Sequence, residues 1–169
     1  MQTSFQKMLL AFIGLSMAVL SVNAQPSPAV KVVARGAGKT IIQGGTGQAG
    51  GFVPVITTIA FHAERQGQAV SGDFECLALA PALATGNGSG QFTVNAMYVT
   101  GEITSAEIEG DTATLKGTAN VTGLGAGHNL PFILVVRRGG PGSTSVLTVS
   151  GLTFDEILLE GSFEVVANE

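Results

Sequence analysis

Cys76 is the single cysteine, so no intramolecular disulfide can form, and any stability must come from packing. Inside the apolar run DFECLALA it reads as a small buried hydrophobe. Tryptophan is absent, and no stretch combines helical periodicity with capping residues. Charge is scarce: eight Lys+Arg stand against twelve Asp+Glu, an acidic balance that excludes nucleic acid or an anionic membrane surface as an electrostatic partner. Only His62 and His128 are available as histidine ligands or bases.

What is present begins with an address. Lys7 precedes the apolar run Met8–Leu20, and Val22-Asn23-Ala24 supplies the residues a signal peptidase reads. The run is shorter than the roughly 20 residues a membrane span needs. We therefore expect residues 1–24 to be cleaved, leaving a mature chain that starts at Gln25 and is secreted, periplasmic or on the cell surface. No cysteine follows the run, so no lipid anchor on the mature terminus is expected; with the run itself too short to span, no membrane insertion of the mature chain is expected either. Residues 25–28 form a leader, and 29–169 are expected to be one all-β domain.

The clearest pattern lies in Gly101–Gly123. Ala113, Leu115, Gly117, Ala119 and Val121 alternate with polar residues, a strand with one buried face. The tip Glu109-Gly110-Asp111-Thr112 suits a hairpin, and the opposite parity of Ile103 and Ile108 predicts a bulge near Ser105-Ala106. The small residues on that face call for large partners from facing strands, with Phe132, Leu134 and Phe92 as candidates.

Further strands are expected at Ala29–Ala34, Lys39–Gln43, Phe52–Glu64, Ala69–Ala80, Gln91–Thr100, Leu130–Arg138, Ser145–Ser150, Leu152–Leu159 and Gly161–Val166. Gly-rich loops separate them at Gly44–Gly51, Pro81–Gly90 and Gly123–Asn129, with a turn at Arg138–Ser143. The resulting antiparallel meander of about nine or ten strands favours a closed β-barrel, because the turns are local; a two-sheet sandwich is the alternative. Ser71–Glu75 and Glu160–Glu164 echo each other but are too short to define a repeat.

Several motifs invite chemistry. Arg35-Gly-Ala-Gly-Lys-Thr40 resembles the end of a phosphate loop, but position 33 is Val33 and no helix follows, so it reads as a turn. Gly45-Thr-Gly-Gln-Ala-Gly50 matches a dinucleotide fingerprint outside any βαβ unit and reads as loop. His62 and Glu64 share a strand face, too few for a metal site without His128 or another ligand. Asp73/Glu75 and Glu107/Glu109 are carboxylate pairs of the type glycosidases use, and each is better read as a wet strand face. Arg137-Arg138 reads as a charged strand end that discourages edge pairing. Asn87-Gly-Ser89 and Asn120-Val-Thr122 are sequons, relevant only in a glycosylating host.

Phe61-His-Ala63, Ser71-Gly-Asp-Phe74, Asp111–Ala119, Pro131-Phe132 and Gly139-Gly-Pro-Gly142 together resemble exported bacterial all-β proteins and the post-COAP-type β-module. Where that group carries an acidic residue after the Pro-Gly turn, this chain has Ser143-Thr-Ser145. The resemblance implies export and an all-β fold, and transfers no catalytic residue.

No catalytic, cofactor-binding or metal-ligating residue is assigned, and no cofactor is expected. The sequence reads as an exported, non-catalytic β-domain with a surface, matrix or interaction role and an extracellular partner. One alternative is a lipocalin-like barrel carrying a small apolar ligand, with room left by Ala113, Gly117 and Ala119. A lesser one is a hydrolase using carboxylates such as Asp73 and Glu75.

Overall fold

A computed structural model describes residues 29–44, 54–81 and 94–166. The expected starts at Gln25 and Ala29, the glycine fingerprint at Gly45–Gly50, Asn87 and Phe92 are affected differently: Ala29 is described, the others lie outside the described residues. Eight strands follow in chain order: β1 (Val30–Ile42), β2 (Ile56–Gln66), β3 (Ala69–Pro81), β4 (Val94–Glu109), β5 (Thr112–Gly123), β6 (Gly127–Arg137), β7 (Thr144–Val149) and β8 (Leu152–Val165). Each pairs antiparallel with the next, and β8 pairs with β1, closing an all-β meander barrel. Closure, and not a sandwich, is the outcome.

The strand count is lower than expected because three breaks read from the sequence are strand interior. Arg35–Gly38 is the middle of β1, not a turn. Gly36 is flanked by Phe61 on β2 and Phe163 on β8, and a Cβ there would fall 2.7–2.8 Å from both rings. Gly161 continues β8 at φ +108, where a Cβ would fall 2.1 Å from the Ala37 carbonyl oxygen. These glycines admit rings and backbone at close quarters instead of ending strands. The third merger joins Gln91–Thr100, from Val94 on, to the first arm of the hairpin as β4. The third expected loop also shortens, since β6 begins at Gly127, before Pro131.

The hairpin parity is as read: Ala113, Leu115, Ala119 and Val121 are buried, and the β4 register shifts between Ile103 and Ser105, beside the expected bulge. Leu134 lies directly opposite Leu115, and Phe132 opposite Gly117. On β4 the inward residues include Met97 and Val99, while Ala96 and Tyr98, which share Phe92's parity, face out. The echoing fragments each set a phenylalanine inward: Phe74 stacks on Phe132 at 5.1 Å between centroids, and Phe163 meets Phe61 at 5.5 Å.

Apolar side chains fill the interior, while Thr, Lys, Glu and Asn dominate many outward positions, as along β5. A barrel spanning a bilayer has the reverse polarity, with an apolar band outside.

Candidate functional site

Glu156 carries the one carboxyl group sealed inside the barrel among the described residues, 1% exposed. It is there because β8 alternates: Phe154, Glu156 and Leu158 share the inward parity, while Asp155 faces solvent. Strand pairing sets Thr40 on β1 opposite Thr57 on β2, and Ser145 on β7 opposite Glu156 itself. All three are buried hydroxyl residues.

Thr57 donates from Oγ1 to Glu156 Oε2 at 2.8 Å. Thr40 Oγ1 also donates to Oε2, and the two threonine hydroxyls contact each other. Burial raises the Glu156 pKa, opposed by the hydrogen bonds from Thr40 and Thr57; no cation contributes. Ser145 Oγ has no hydrogen-bond partner among the described residues.

Glu156 borders a void of about 10 Å³ whose walls include Cys76, Met97, Leu147 and Phe154. That is about the room one water needs. Burial, and then the neighbouring Glu156, push the Cys76 thiol pKa up, so this cysteine is a packed neutral thiol without nucleophilic character. Ile42 and Val55 form a small apolar cluster of their own, with Ala78 and Phe154 packed against it.

The candidates read from the sequence lie elsewhere, on the outer wall. His62 Nε2 and Glu64 Oε1 are 2.9 Å apart on β2. His128 sits on β6, its Nδ1 3.2 Å from Asn120 Oδ1. Asp73 and Glu75 are exposed on β3, and Glu75 accepts the Tyr98 hydroxyl at 2.8 Å. Glu107 pairs with Lys116 at 2.9 Å, and Glu109 is exposed beside the hairpin tip. Arg137 does not guard an edge, because closure leaves none; it donates from Nε to Asp111 at 2.8 Å. Arg138 donates its backbone N–H to the Asp111 carbonyl.

Asn120 of the second sequon is exposed, and its side-chain oxygen accepts the Asn129 N–H at 3.3 Å. It borders a shallow polar groove of about 270 Å³ with Thr100, Glu102, Thr118 and Asn129. No group of three or more His, Cys, Asp and Glu capable of holding a metal forms among the described residues.

Sequence reasoning missed Glu156, Thr40 and Ser145 as an interior group. Thr57 shares its buried face of β2 with Ile59 and Phe61, in line with Val55 just before the strand. The available signal was parity: Glu156 stands between Phe154 and Leu158 at spacing two.

Comparison with known proteins finds no matching family model, no matching curated protein and no matching solved structure.

Proposed function

We propose that the chain is an exported, non-catalytic barrel domain that works through its outer wall, in a surface, matrix or interaction role. The supporting observation is that, among the described residues, apolar side chains fill the interior. A void of about 10 Å³ lies far below the roughly 300–1,000 Å³ of small-molecule pockets. The exposed carboxylates and histidines are also spread over the wall, several engaged with neighbours such as Tyr98, Lys116 and Asn120. Export rests on Lys7 and the Met8–Leu20 run.

The carrier reading draws on a different observation: the void beside Glu156 adjoins the partly buried Phe154 ring, whose displacement would enlarge it. Titration with a fluorescent fatty acid separates the two. The wall-acting barrel should show no saturable uptake, and stoichiometric uptake would favour the carrier. Fractionation of expressing cells completes the test: the mature chain should be recovered outside the cytoplasm, held by surface or matrix material and released by its disruption. Recovery as a freely diffusing cytoplasmic protein would overturn the proposal.

A further inference from the structure

Many charged side chains of the outer wall already have partners. Glu64 pairs with His62, Glu107 with Lys116, Glu160 with Lys39 and Glu164 with Arg35. The groove on β4 and β5 differs. Thr100 lies directly opposite Asn120, and Glu102 opposite Thr118, so two exposed cross-strand pairs stand one behind the other. The side chains of Thr100, Glu102 and Thr118 make no hydrogen bond or ion pair among the described residues. The groove is set well into the wall, with Thr100 about 20 Å along β4 from Val94.

Asn129, on β6, borders the groove too. It holds φ +52, in the left-handed region, where β5 and β6 shift register between Ala119 and Val121. Irregularities of this kind re-aim side chains beside functional sites. The group held here is the Asn120 amide. Its Oδ1 accepts the Asn129 N–H at 3.3 Å and lies 3.2 Å from His128 Nδ1. Both contacts use the amide oxygen, so the amide NH2 is left to donate to a ligand.

These groups form a mixed set: two hydroxyls that donate or accept, an amide that donates, and a carboxylate that accepts. None of the lining residues is cationic, and Asp73 stands opposite Glu102 on β3, so an anionic ligand is repelled. An apolar ligand would leave the polar groups unpaired. A ring of neighbouring hydroxyls, each able to give and take a hydrogen bond, satisfies all of them. The groove holds about 270 Å³, close to the lower end of small-molecule sites at roughly 300–1,000 Å³. We infer that this groove binds a neutral glycan, the Asn120 amide donating to hydroxyls of one sugar ring and the Glu102 carboxylate accepting from them. The site rests on the outer-wall reading above and gives that wall a ligand.

Tyr98 is the reporter. It is the sole tyrosine of a chain without tryptophan and precedes Thr100 on the same face of β4. Its hydroxyl donates to Glu75, the cross-strand partner of Thr100, so its fluorescence is sensitive to the groove. The purified chain is titrated with cellohexaose, mannohexaose and maltohexaose, and with hexagalacturonate as the anionic counterpart. A saturable change is expected with at least one neutral hexaose and none with hexagalacturonate. Asn120→Ala and Glu102→Ala should each weaken binding about tenfold, the effect of losing one such hydrogen bond. Ser162→Ala, exposed on β8, should leave it unchanged. Amide shifts in ¹H–¹⁵N spectra of the wild type should centre on residues 100–102, 118–120 and Asn129, which decides the matter should a variant fail to fold. No saturable change with any neutral hexaose, tighter binding of hexagalacturonate, unchanged affinity in both groove variants, or shifts centred elsewhere on the wall would each overturn the site. Retention by surface or matrix material without saccharide binding overturns the site and leaves the outer-wall reading standing. Saccharide binding by a chain found free in the cytoplasm supports the site and overturns that reading.

Discussion

The Phe132 ring lies against Gly117, its direct partner across the β5–β6 pair. A Cβ on Gly117 would stand 2.9 Å from the ring and 1.8 Å from the Glu102 carbonyl oxygen. Gly117→Ala must therefore shift backbone as well as ring, an overpacking expected to cost about 1–3 kcal/mol. Thr118→Ala, at the exposed neighbouring position, should change stability by no more than about 0.5 kcal/mol. Urea midpoints of the two variants check this; equal midpoints would mean that the close approach at Gly117 does not limit the packing.

Leu115 is wholly buried and paired with Leu134, whereas Thr114 is partly exposed on the other face. Leu115→Ala should cost about 2–5 kcal/mol, through lost apolar contact and a residual cavity. Thr114→Ala should cost far less. Similar losses in urea unfolding would reverse the inside–outside assignment along β5.

That assignment was legible because β5 buries one face and wets the other, so a period of two survives in the sequence. The same period of two runs through β2, where Val55, Thr57, Ile59, Phe61 and Ala63 are buried. It failed at Gly36 and Gly161, where glycine serves ring packing and close backbone approach but looks locally like a turn. It also failed at Glu156. A charged residue is ordinarily assigned to the wet face, and only the pairing of β8 with β1 and β7 brings Thr40 and Ser145 to it. Those partners are far apart in the chain, and the closure that joins them has no local signature.

Cys76 should resist thiol reagents in the folded chain at acid to neutral pH and react once denaturant is added, since it is buried and its pKa is raised. Labelling as fast as in the unfolded chain, or a disulfide-linked dimer on a non-reducing gel, would contradict its burial.

Processing is checked by intact mass. Exported protein should begin at Gln25, with or without cyclisation of that residue. Met1 retained on protein in a membrane fraction would defeat the expected cleavage.

The pH dependence of global stability follows from two carboxyls of opposite sign. Burial raises the Glu156 pKa in the folded state above the unfolded value of about 4.3. Below that value both states hold the proton, and the contribution of the neutral acid is fully present. As pH rises, the unfolded chain ionises first, so unfolding releases a proton and stability falls by up to about 1.4 kcal/mol per pH unit. The fall ends once pH passes the folded-state value. Asp111 acts the other way: the hydrogen bond from Arg137 lowers its pKa, so its contribution is lost as pH drops through the folded value. The urea midpoint should therefore weaken at strongly acid pH and decline again on the alkaline side of the ordinary glutamate range. Glu156→Gln should remove the second decline and leave the first, while Asp111→Asn should blunt the first and leave the second. If Glu156→Gln retains the wild-type decline, the proton released on unfolding comes from another group, and the interior carboxyl is ionised in the folded barrel.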